Sequence, residues 1–379
     1  MTESMKAVAV LPGRREVTLA RLPEPRLESK TQLKLRVLEV GVCGTDKEIC
    51  AFEYGTPPAG SESLVIGHEN LAEVMEAGPA VTQFRPGDLA VVMVRRPCPH
   101  EHCRPCRGGQ PSFCETGDFT ERGIKSAHGF MTEYVVEEEQ HLVSVPRGLR
   151  DVAVLLEPLT IAEKGLLQLW KIQERLPWQC PHAQDGGQGH CRKAVVLGAG
   201  PVGLLGAMAL VAAGFETYVY SRDPEGSDKA ALVASFGARY VSATKEDVPG
   251  LAERLGRIDV VYEAVGVSRL AFDVMGHLGN NGVFIFTGVP ALKGPAPVDL
   301  DRLMRRMVLG NQVVVGSVNA GRDAFEAAIR DLGVFDRRWP AALRALITGR
   351  YPVDAYRDLL LGKAGGIKNV ISFDTRGRG

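Results

Sequence analysis

Short apolar runs broken by glycine and proline fill the N-terminal part of the chain. Lys6–Val10, Gln32–Val40, Leu71–Ala77, Leu89–Val94 and Glu133–Val136 are rich in β-branched and apolar residues, the pattern of strands. Pro86-Gly87-Asp88 reads as a turn, in which proline fixes φ and glycine frees it. An all-β, barrel-like domain is expected here. From Val152 the period changes. Val154, Leu155, Leu159, Leu166, Leu167 and Leu169 sit near helical spacing, and Pro158 suits a first turn, where its missing N–H is harmless. Pro177 to His190 is polar and glycine-rich and reads as a surface loop.

After that loop, strands and helices alternate. Lys193–Leu197, Thr217–Tyr220, Ile258–Ala264, Gly282–Thr287 and Gln312–Val318 are predicted strands. Val202–Ala213, Lys229–Phe236, Leu270–His277 and Arg322–Asp331 are predicted helices. This alternation implies a parallel sheet covered on both faces. The apolar run Asn369–Phe373 is expected to pair back into the first domain.

At 379 residues the chain is expected to hold two domains. Hydrophobic residues at 45% and charged residues at 24% exclude a disordered or fibrous chain. Lys+Arg and Asp+Glu both number 45, for a formal net charge of zero, which argues against a general nucleic-acid binder. No run reaches the roughly 18 apolar residues of a membrane helix. No leader pattern opens the chain, so a cytoplasmic protein is expected. Eight cysteines in such a protein are unlikely to form a disulfide framework.

Gly198-Ala199-Gly200-Pro201-Val202-Gly203 follows a predicted strand and opens a predicted helix. The first glycine makes the tight turn, the second admits a pyrophosphate and the third lets helix pack on strand. About 20 residues on, where an NAD enzyme usually carries an acid for the ribose 2′-OH, stand Ser221, Arg222 and Asp223. A hydroxyl and a guanidinium suit a 2′-phosphate, while Asp223 can still serve NAD. NADP, with tolerance of NAD, is the expected cofactor.

Cys98, Cys103, Cys106 and Cys114 are spaced C-x4-C-x2-C-x7-C. Four thiolates this close can close a tetrahedral structural zinc shell. Cys43, His68, Glu69 and Glu157 each have an ordinary explanation as core or helix-end residues. Together with a nucleotide domain they offer a thiolate, an imidazole and two carboxylates, enough for a catalytic zinc with an exchangeable position.

GVCGTD, GHE, the four-cysteine lobe and GAGPVG, in this order, resemble the zinc-dependent medium-chain dehydrogenases/reductases across essentially the whole chain. Finer matches, such as Val94-Arg-Arg-Pro-Cys98 and Leu156-Glu157-Pro158-Leu159, look like the archaeal-type glucose 1-dehydrogenases. The resemblance implies an α/β protein with a GroES-like β-barrel catalytic domain (1–165, structural zinc lobe 98–114). It also implies a Rossmann doubly wound parallel-sheet domain (190–335) and a C-terminal segment, 336–379, returning to the first. It implies two zinc ions and oxidation of an aldose at C1 to an aldonolactone.

By the same resemblance Cys43, His68, Glu69 and Glu157 surround the catalytic zinc, with Glu69 or Glu157 binding directly or through water. Thr45, Glu121, Glu157 and Asn319 contact the sugar, and Thr45, Glu69 and Glu157 take part in catalysis. Thr287, Gly288 and Val289, with Ser317, Val318 and Asn319, line the nicotinamide side. A homo-oligomer, tetramer or dimer, is expected. Val94 and Ile161 depart from residues that offer sugar hydrogen bonds in some relatives, so the aldose stays open between epimers. Glu48 stands where a relay histidine is often found. Polyol, alcohol or threonine oxidation, and a non-catalytic dinucleotide-binding zinc protein, are the competing readings.

Overall fold

The alternating run Gln32–Gly41 becomes the central strand of the largest sheet. Leu33, Leu35 and Val37 are fully buried in the core of this part of the molecule. The structure is a computed structural model and describes residues 4–177, 180, 187–291 and 294–374. In it this strand pairs antiparallel with Glu69–Ala77, Tyr134–Glu138 and Lys368–Ser372. Leu89–Val92 and Leu142–Val145 extend the sheet on one side and Ile347–Pro352 on the other. The predicted return of the C-terminal run is present: Val370 pairs with Gly41 and Ile371 with Val40. Two small sheets complete the β-structure. One orders Glu16–Pro23, Ser4–Leu11 and Leu64–Val65; the other orders Arg95–Arg96, Thr120–Arg122 and Ser126–Ala127. The expectation of an all-β domain misses the short helix Gly44–Cys50.

Contacts divide the chain into two units. One comprises Met1–Glu157, Asn319–Leu332 and Leu346–Gly379, the other Pro158–Val318 and Gly333–Ala345. Asn319–Leu332 was counted above with the coenzyme-binding stretch, yet its bonds lie in the first unit. Asn319 donates to Glu121, and Arg322 donates to the carbonyl of Leu142.

The second unit is built on six parallel strands. Their order is Arg239–Ser242, Glu216–Ser221, Lys193–Leu197, Val260–Glu263, Val283–Phe286, Val313–Gly316. In chain order this is 3-2-1-4-5-6, the doubly wound arrangement, with its switch point beside Lys193–Leu197. Val195, Leu197, Val261 and Phe284 are buried between the helical layers, which is why these strands read as continuous apolar runs. The strand Arg239–Ser242 was not predicted, being short and buried only at Val241 and Ser242. Cys180 and Cys191 are joined in a single disulfide. Residues 178–179 and 181–186 of the predicted surface loop lie outside the described residues. Among the described residues, no helix is long and apolar enough to cross a membrane.

One close approach positions the chemistry. Gly67 has φ +89° and Gly123 φ +77°, values that favour glycine. A Cβ on Gly129 would overlap the carbonyl oxygens of Gly67 and Ile66 and the Cα of Gly123. Those neighbours are backbone and cannot step aside. We therefore expect Gly129→Ala to lower stability by about 1–3 kcal/mol, as overpacking does. Urea denaturation should show a lower midpoint at an unchanged slope.

Candidate active site

The turn before helix Gly44–Cys50 carries Cys43, and the turn before strand Glu69–Ala77 carries His68. Asp46 joins the two. It is fully buried; Oδ2 accepts from the Cys43 N–H at 2.9 Å, and Oδ1 accepts from the Gly67 N–H at 3.2 Å. The same Oδ1 lies 3.5 Å from His68 Nδ1. Cys43, His68 and Glu69 thereby bring one ligand atom each to within 4.8 Å of one another. Thr45 Oγ1 is 4.0 Å from Cys43 Sγ. Glu157, the second residue of helix Leu156–Gln173, is buried in the same neighbourhood, within electrostatic range of His68, Glu69, Lys368 and Asp46.

The charges here are strongly coupled. Burial alone lowers the pKa of His68, but Asp46 and then the Cys43 thiolate more than offset it and hold His68 well above its usual value. Burial pushes the Glu157 carboxyl up to about 7, with His68 pulling it down and Glu69 pushing it further up. A thiolate, an imidazole and two carboxylates, sequestered together, match the donor preferences of zinc. These are the side chains that would hold a zinc ion, and such an ion would displace the proton from His68.

The four-cysteine lobe forms a second donor group. Cys98, Cys103, Cys106 and Cys114 lie within 4.8 Å of one another. Cys103 Sγ and Cys114 Sγ are 3.9 Å apart, close to the edge of about 3.8 Å implied by Zn–S bonds of about 2.3 Å in a tetrahedron. Burial raises the Cys114 thiol, but the Thr116 hydroxyl and the N–H groups of Thr116 and Gly117 bring it down to about 6. Burial pushes the Cys106 thiol the other way, up to about 12, so the surroundings favour a thiolate at Cys114 and not at every position of the lobe. His100, inside the first spacer, bonds instead to Asp118.

Glu121 and Asn319 meet directly although far apart in sequence. Asn319 Nδ2 donates to Glu121 Oε1 at 2.8 Å. Arg95 Nε and Nη2 donate to the same oxygen at 3.0 and 2.9 Å, and Arg95 Nη1 donates to the Ser112 carbonyl at 3.3 Å. The Arg95 guanidinium also lies 3.7 Å over the Phe119 ring. Glu121 Oε2 has no partner among the described residues. Tyr54, 54% exposed, feels the charges of Glu121, Arg95, Glu48 and His68, so it stands near both groups. The Tyr54 side is pinned through Thr56, whose N–H donates to Ile124 and whose carbonyl accepts from Ser126.

Sequence reasoning missed Arg95, Tyr54 and Lys368 and gave Asp46 no role. Lys368 was the most visible, a lone cation inside an apolar run. It is 2% exposed, and its ammonium donates to both oxygens of Glu69 at 2.7 and 2.6 Å.

In the second unit, helix Pro201–Ala212 starts at Gly200 with no side-chain cap. Gly198 has φ +101°, and a Cβ there would overlap Val265. A Cβ on Gly203 would overlap the Gly198 carbonyl, whereas one on Gly200 would meet nothing within 4 Å. Two glycines are required by packing, and the third faces open space before an uncapped helix N-terminus, the arrangement a pyrophosphate needs. Buried Glu263 sets the adjoining turns by accepting from the N–H groups of Val265 and Gly266 at 2.8 and 2.7 Å and of Gly288 at 3.2 Å. The Thr287 hydroxyl donates to the Glu263 carbonyl. Val289 and Val318 are exposed, and Ser317 Oγ is buried with no hydrogen bond among the described residues. At the end of strand Glu216–Ser221, Asp223 accepts from Ser221 Oγ at 3.2 Å and pairs with Lys229 Nζ at 3.2 Å. Arg222 is exposed and makes no ion pair among the described residues.

Comparison with known proteins agrees with this geometry. Residues 29–147 match the alcohol dehydrogenase GroES-like domain, and residues 150–373 match the glucose dehydrogenase C-terminus. The chain belongs to the glucose dehydrogenase branch of the zinc-dependent medium-chain alcohol dehydrogenase family. It is 39% identical over 368 residues to a glucose 1-dehydrogenase of Methanocella arvoryzae, covering 97% of this chain and 99% of the relative. It is 38% identical over 372 residues to one of Thermoproteus tenax, covering 98% and 100%. Among solved structures, the glucose dehydrogenase of Haloferax mediterranei in complex with NADP, Zn and gluconolactone superposes with a TM-score of 0.86. That pair is 32% identical, over 98% of this chain and 100% of the other.

The cysteine lobe yields a direct test. Cys106→Ser should reduce zinc content from about two to about one per subunit and lower the melting temperature, because closed thiolate sites contribute folding energy. Turnover per folded, catalytically loaded subunit should hold. Metal analysis with thermal denaturation checks it, and unchanged zinc content would contradict the assignment.

Proposed function

We propose that the protein oxidises D-glucose, or a closely related aldose, at C1 to the aldonolactone and transfers the hydride to NADP. The observation that carries this reading is the pairing of Glu121 and Asn319 in the same unit as the Cys43–His68–Glu69 donor group. A sugar-gripping pair accompanies a metal-binding set in a chain of the glucose dehydrogenase branch. Cys43, His68 and a carboxylate from Glu69 or Glu157 hold the catalytic zinc, and the four-cysteine lobe holds a structural one. Zinc bound there supplies Lewis acidity at the C1 hydroxyl.

The chain's own residues do the rest. Thr45 Oγ1, beside Cys43, relays the C1 hydroxyl proton, taking it up as its own hydroxyl proton passes on to water. Glu48 is exposed on the same helix and offers that proton a way to solvent. Glu69 is a poorer exit, being 1% exposed and bound to Lys368. Glu121 Oε2 accepts from a sugar hydroxyl, while Arg95 and Asn319 fix the carboxylate by its other oxygen. Tyr54 closes on the sugar from the exposed side. A site whose polar groups pair only with the right hydroxyls rejects analogues that lack them.

The coenzyme preference follows from the end of strand Glu216–Ser221. Asp223 is the residue that would accept from a ribose 2′-OH, but Lys229 and Ser221 occupy its carboxylate. Arg222 is left to meet a 2′-phosphate. A homo-oligomer is supported by helix Leu300–Leu309, none of whose residues is buried. Leu300, Met304, Val308 and Leu309 are each at least 66% exposed. The edge strand Val313–Gly316 offers free backbone groups to a second copy.

Two measurements test the reading. Arg222→Ala should weaken NADP by about 1.5–3 kcal/mol, the scale of a charge-assisted contact, and leave NAD nearly unaffected. Equal losses for both coenzymes would shift the choice to Asp223. Glu121→Gln should raise KM for glucose about tenfold or more, since a site that loses one matched polar partner discriminates on this scale. NADP affinity and zinc content should stay constant. Glutamine is preferred to alanine because it keeps a partner beside buried Arg95. Unchanged KM, or no aldose turnover by the wild type, would favour a polyol or another alcohol as substrate.

A further inference from the structure

The run from Cys180 to Cys191 takes no part in the chemistry above. It begins Cys-Pro-His and ends His-Cys, with three glycines between, and short tracts rich in cysteine and histidine are a metal-binding composition. Cys180, His190 and Cys191 bring one ligand atom each to within 4.8 Å of one another. Cys191 Sγ lies 3.8 Å from His190 Nδ1, close to the edge of about 3.6 Å that Zn–S and Zn–N bonds span in a tetrahedron. Successive side chains of an extended chain point to opposite faces. Cys191 instead has φ +66°, in the left-handed region that a residue other than glycine seldom occupies, and the two side chains stand together. Cys191 is exposed and the other two are half-buried, so an ion reaches them from solvent.

The backbone beneath these donors is fixed. The Gly189 N–H donates to the Ala213 carbonyl at 2.9 Å, and the Arg192 N–H donates to the Gly189 carbonyl at 3.1 Å. A Cβ on Gly189 would overlap the Phe215 ring, and Arg257 Nη2 donates to the Cys191 carbonyl at 3.3 Å. His190 and Cys191 are therefore held in place before an ion arrives. We propose that Cys180, His190 and Cys191 form a further metal site, for a thiophilic divalent ion such as zinc, which opens when their disulfide is reduced. A dithiol supplies the two electrons. Its sulphurs join as its own disulfide, the Cys180–Cys191 bond breaks, and its two protons pass to those cysteines. The ion then displaces both protons to solvent and takes two thiolates and the His190 imidazole, with solvent completing the shell. The site lies just before strand Lys193–Leu197, at the end opposite the Gly198–Gly203 motif, so it acts on stability and not on the coenzyme. The same side chains close the span 180–191 in either redox state, covalently or through the ion.

The zinc content of the full-length protein tests this. With the disulfide intact, the two donor groups described above account for about two equivalents per subunit. Reduction with dithiothreitol, its removal by anaerobic gel filtration and exposure to zinc sulfate should raise the count to about three. Cys180→Ser and Cys191→Ser, treated alike, should each bind one equivalent less than wild type. That difference isolates this site whatever the other two groups hold. His190→Ala should lose most of the added equivalent at a zinc concentration that saturates wild type. Zinc should raise the melting temperature of reduced wild type more than that of Cys180→Ser.

A pair that serves only as a disulfide makes a different forecast: reduction lowers the melting temperature, and zinc neither binds in addition nor restores it. That result overturns the proposal. An added equivalent that persists in both cysteine variants places the ion elsewhere and overturns it too. Undiminished binding by His190→Ala would refute the three-donor set. Should the cysteine variants fail to fold, alkylation of reduced wild type decides. Zinc should protect Cys180 and Cys191 from iodoacetamide, read by peptide mass, and equal labelling with and without zinc would refute the site.

Discussion

The buried carboxylate of Asp46 is the interaction on which the active-site geometry depends. Cys43 and His68 lie just beyond the end of the antiparallel pair in which Gly41 faces Glu69, and that ladder stops short of joining the two residues themselves. Asp46 does so by accepting from the N–H groups that precede each, Cys43 itself and Gly67, while facing the His68 ring. A fully buried carboxylate without partners is costly. The fold therefore keeps both turns in place to satisfy it, and the two side chains are set as a consequence. The close packing of Gly67, Gly123 and Gly129 serves the same end from the other side, since it leaves the Gly67 N–H one direction in which to point.

Around this anchor the charges form a set that proton placement alone settles poorly. Asp46, Glu69, Glu157 and Cys43 are acidic groups in one sequestered space; His68 and Lys368 are the cations facing them. For Lys368, burial works against the charge, and Glu69 followed by Cys43 more than restores it. His68 and Glu157 are both displaced upward, His68 by Asp46 and Cys43 against its burial, Glu157 first by burial and then by the charge of Glu69. In the cysteine lobe the offset to burial is local: the Thr116 hydroxyl and the N–H groups of Thr116 and Gly117 lower the Cys114 thiol. The first donor group is assembled from distant segments and the second from one short segment.

This contrast explains what was legible in the sequence. The lobe was, because its four cysteines lie within one short segment. The parallel sheet was, because its central strands are apolar throughout, and the glycine motif was, because packing dictates two of its glycines. The short strand Arg239–Ser242 carried too little apolar pattern to be seen. Cys43, His68 and Glu157 could be nominated by residue type and by family resemblance, but their convergence could not be derived. It is produced by Asp46, an ordinary-looking acid in the first turn of a short helix. Arg95 and Lys368 were missed for a related reason. Each is a cation whose partner, Glu121 or Glu69, lies far away in sequence, and only the strand register of the folded chain brings the pair together.

The coenzyme strand shows the same logic applied to selectivity. An acid at the end of the second strand usually signals NAD, and this chain has one in Asp223. The fold does not remove that acid; it occupies it. Lys229 and the Ser221 hydroxyl take the carboxylate, while the hydroxyls of Tyr240 and Ser242 donate to the Asp223 carbonyl at 2.8 Å each. The residue is held at both ends, and its negative charge is balanced before any ribose arrives. Arg222 therefore stands beside an acid whose charge Lys229 already offsets, which the bare sequence Ser-Arg-Asp does not reveal. Charge balance at this position also depends on Lys229, six residues away on the following helix, so the three-residue strand end read alone understates how well the site suits a phosphate.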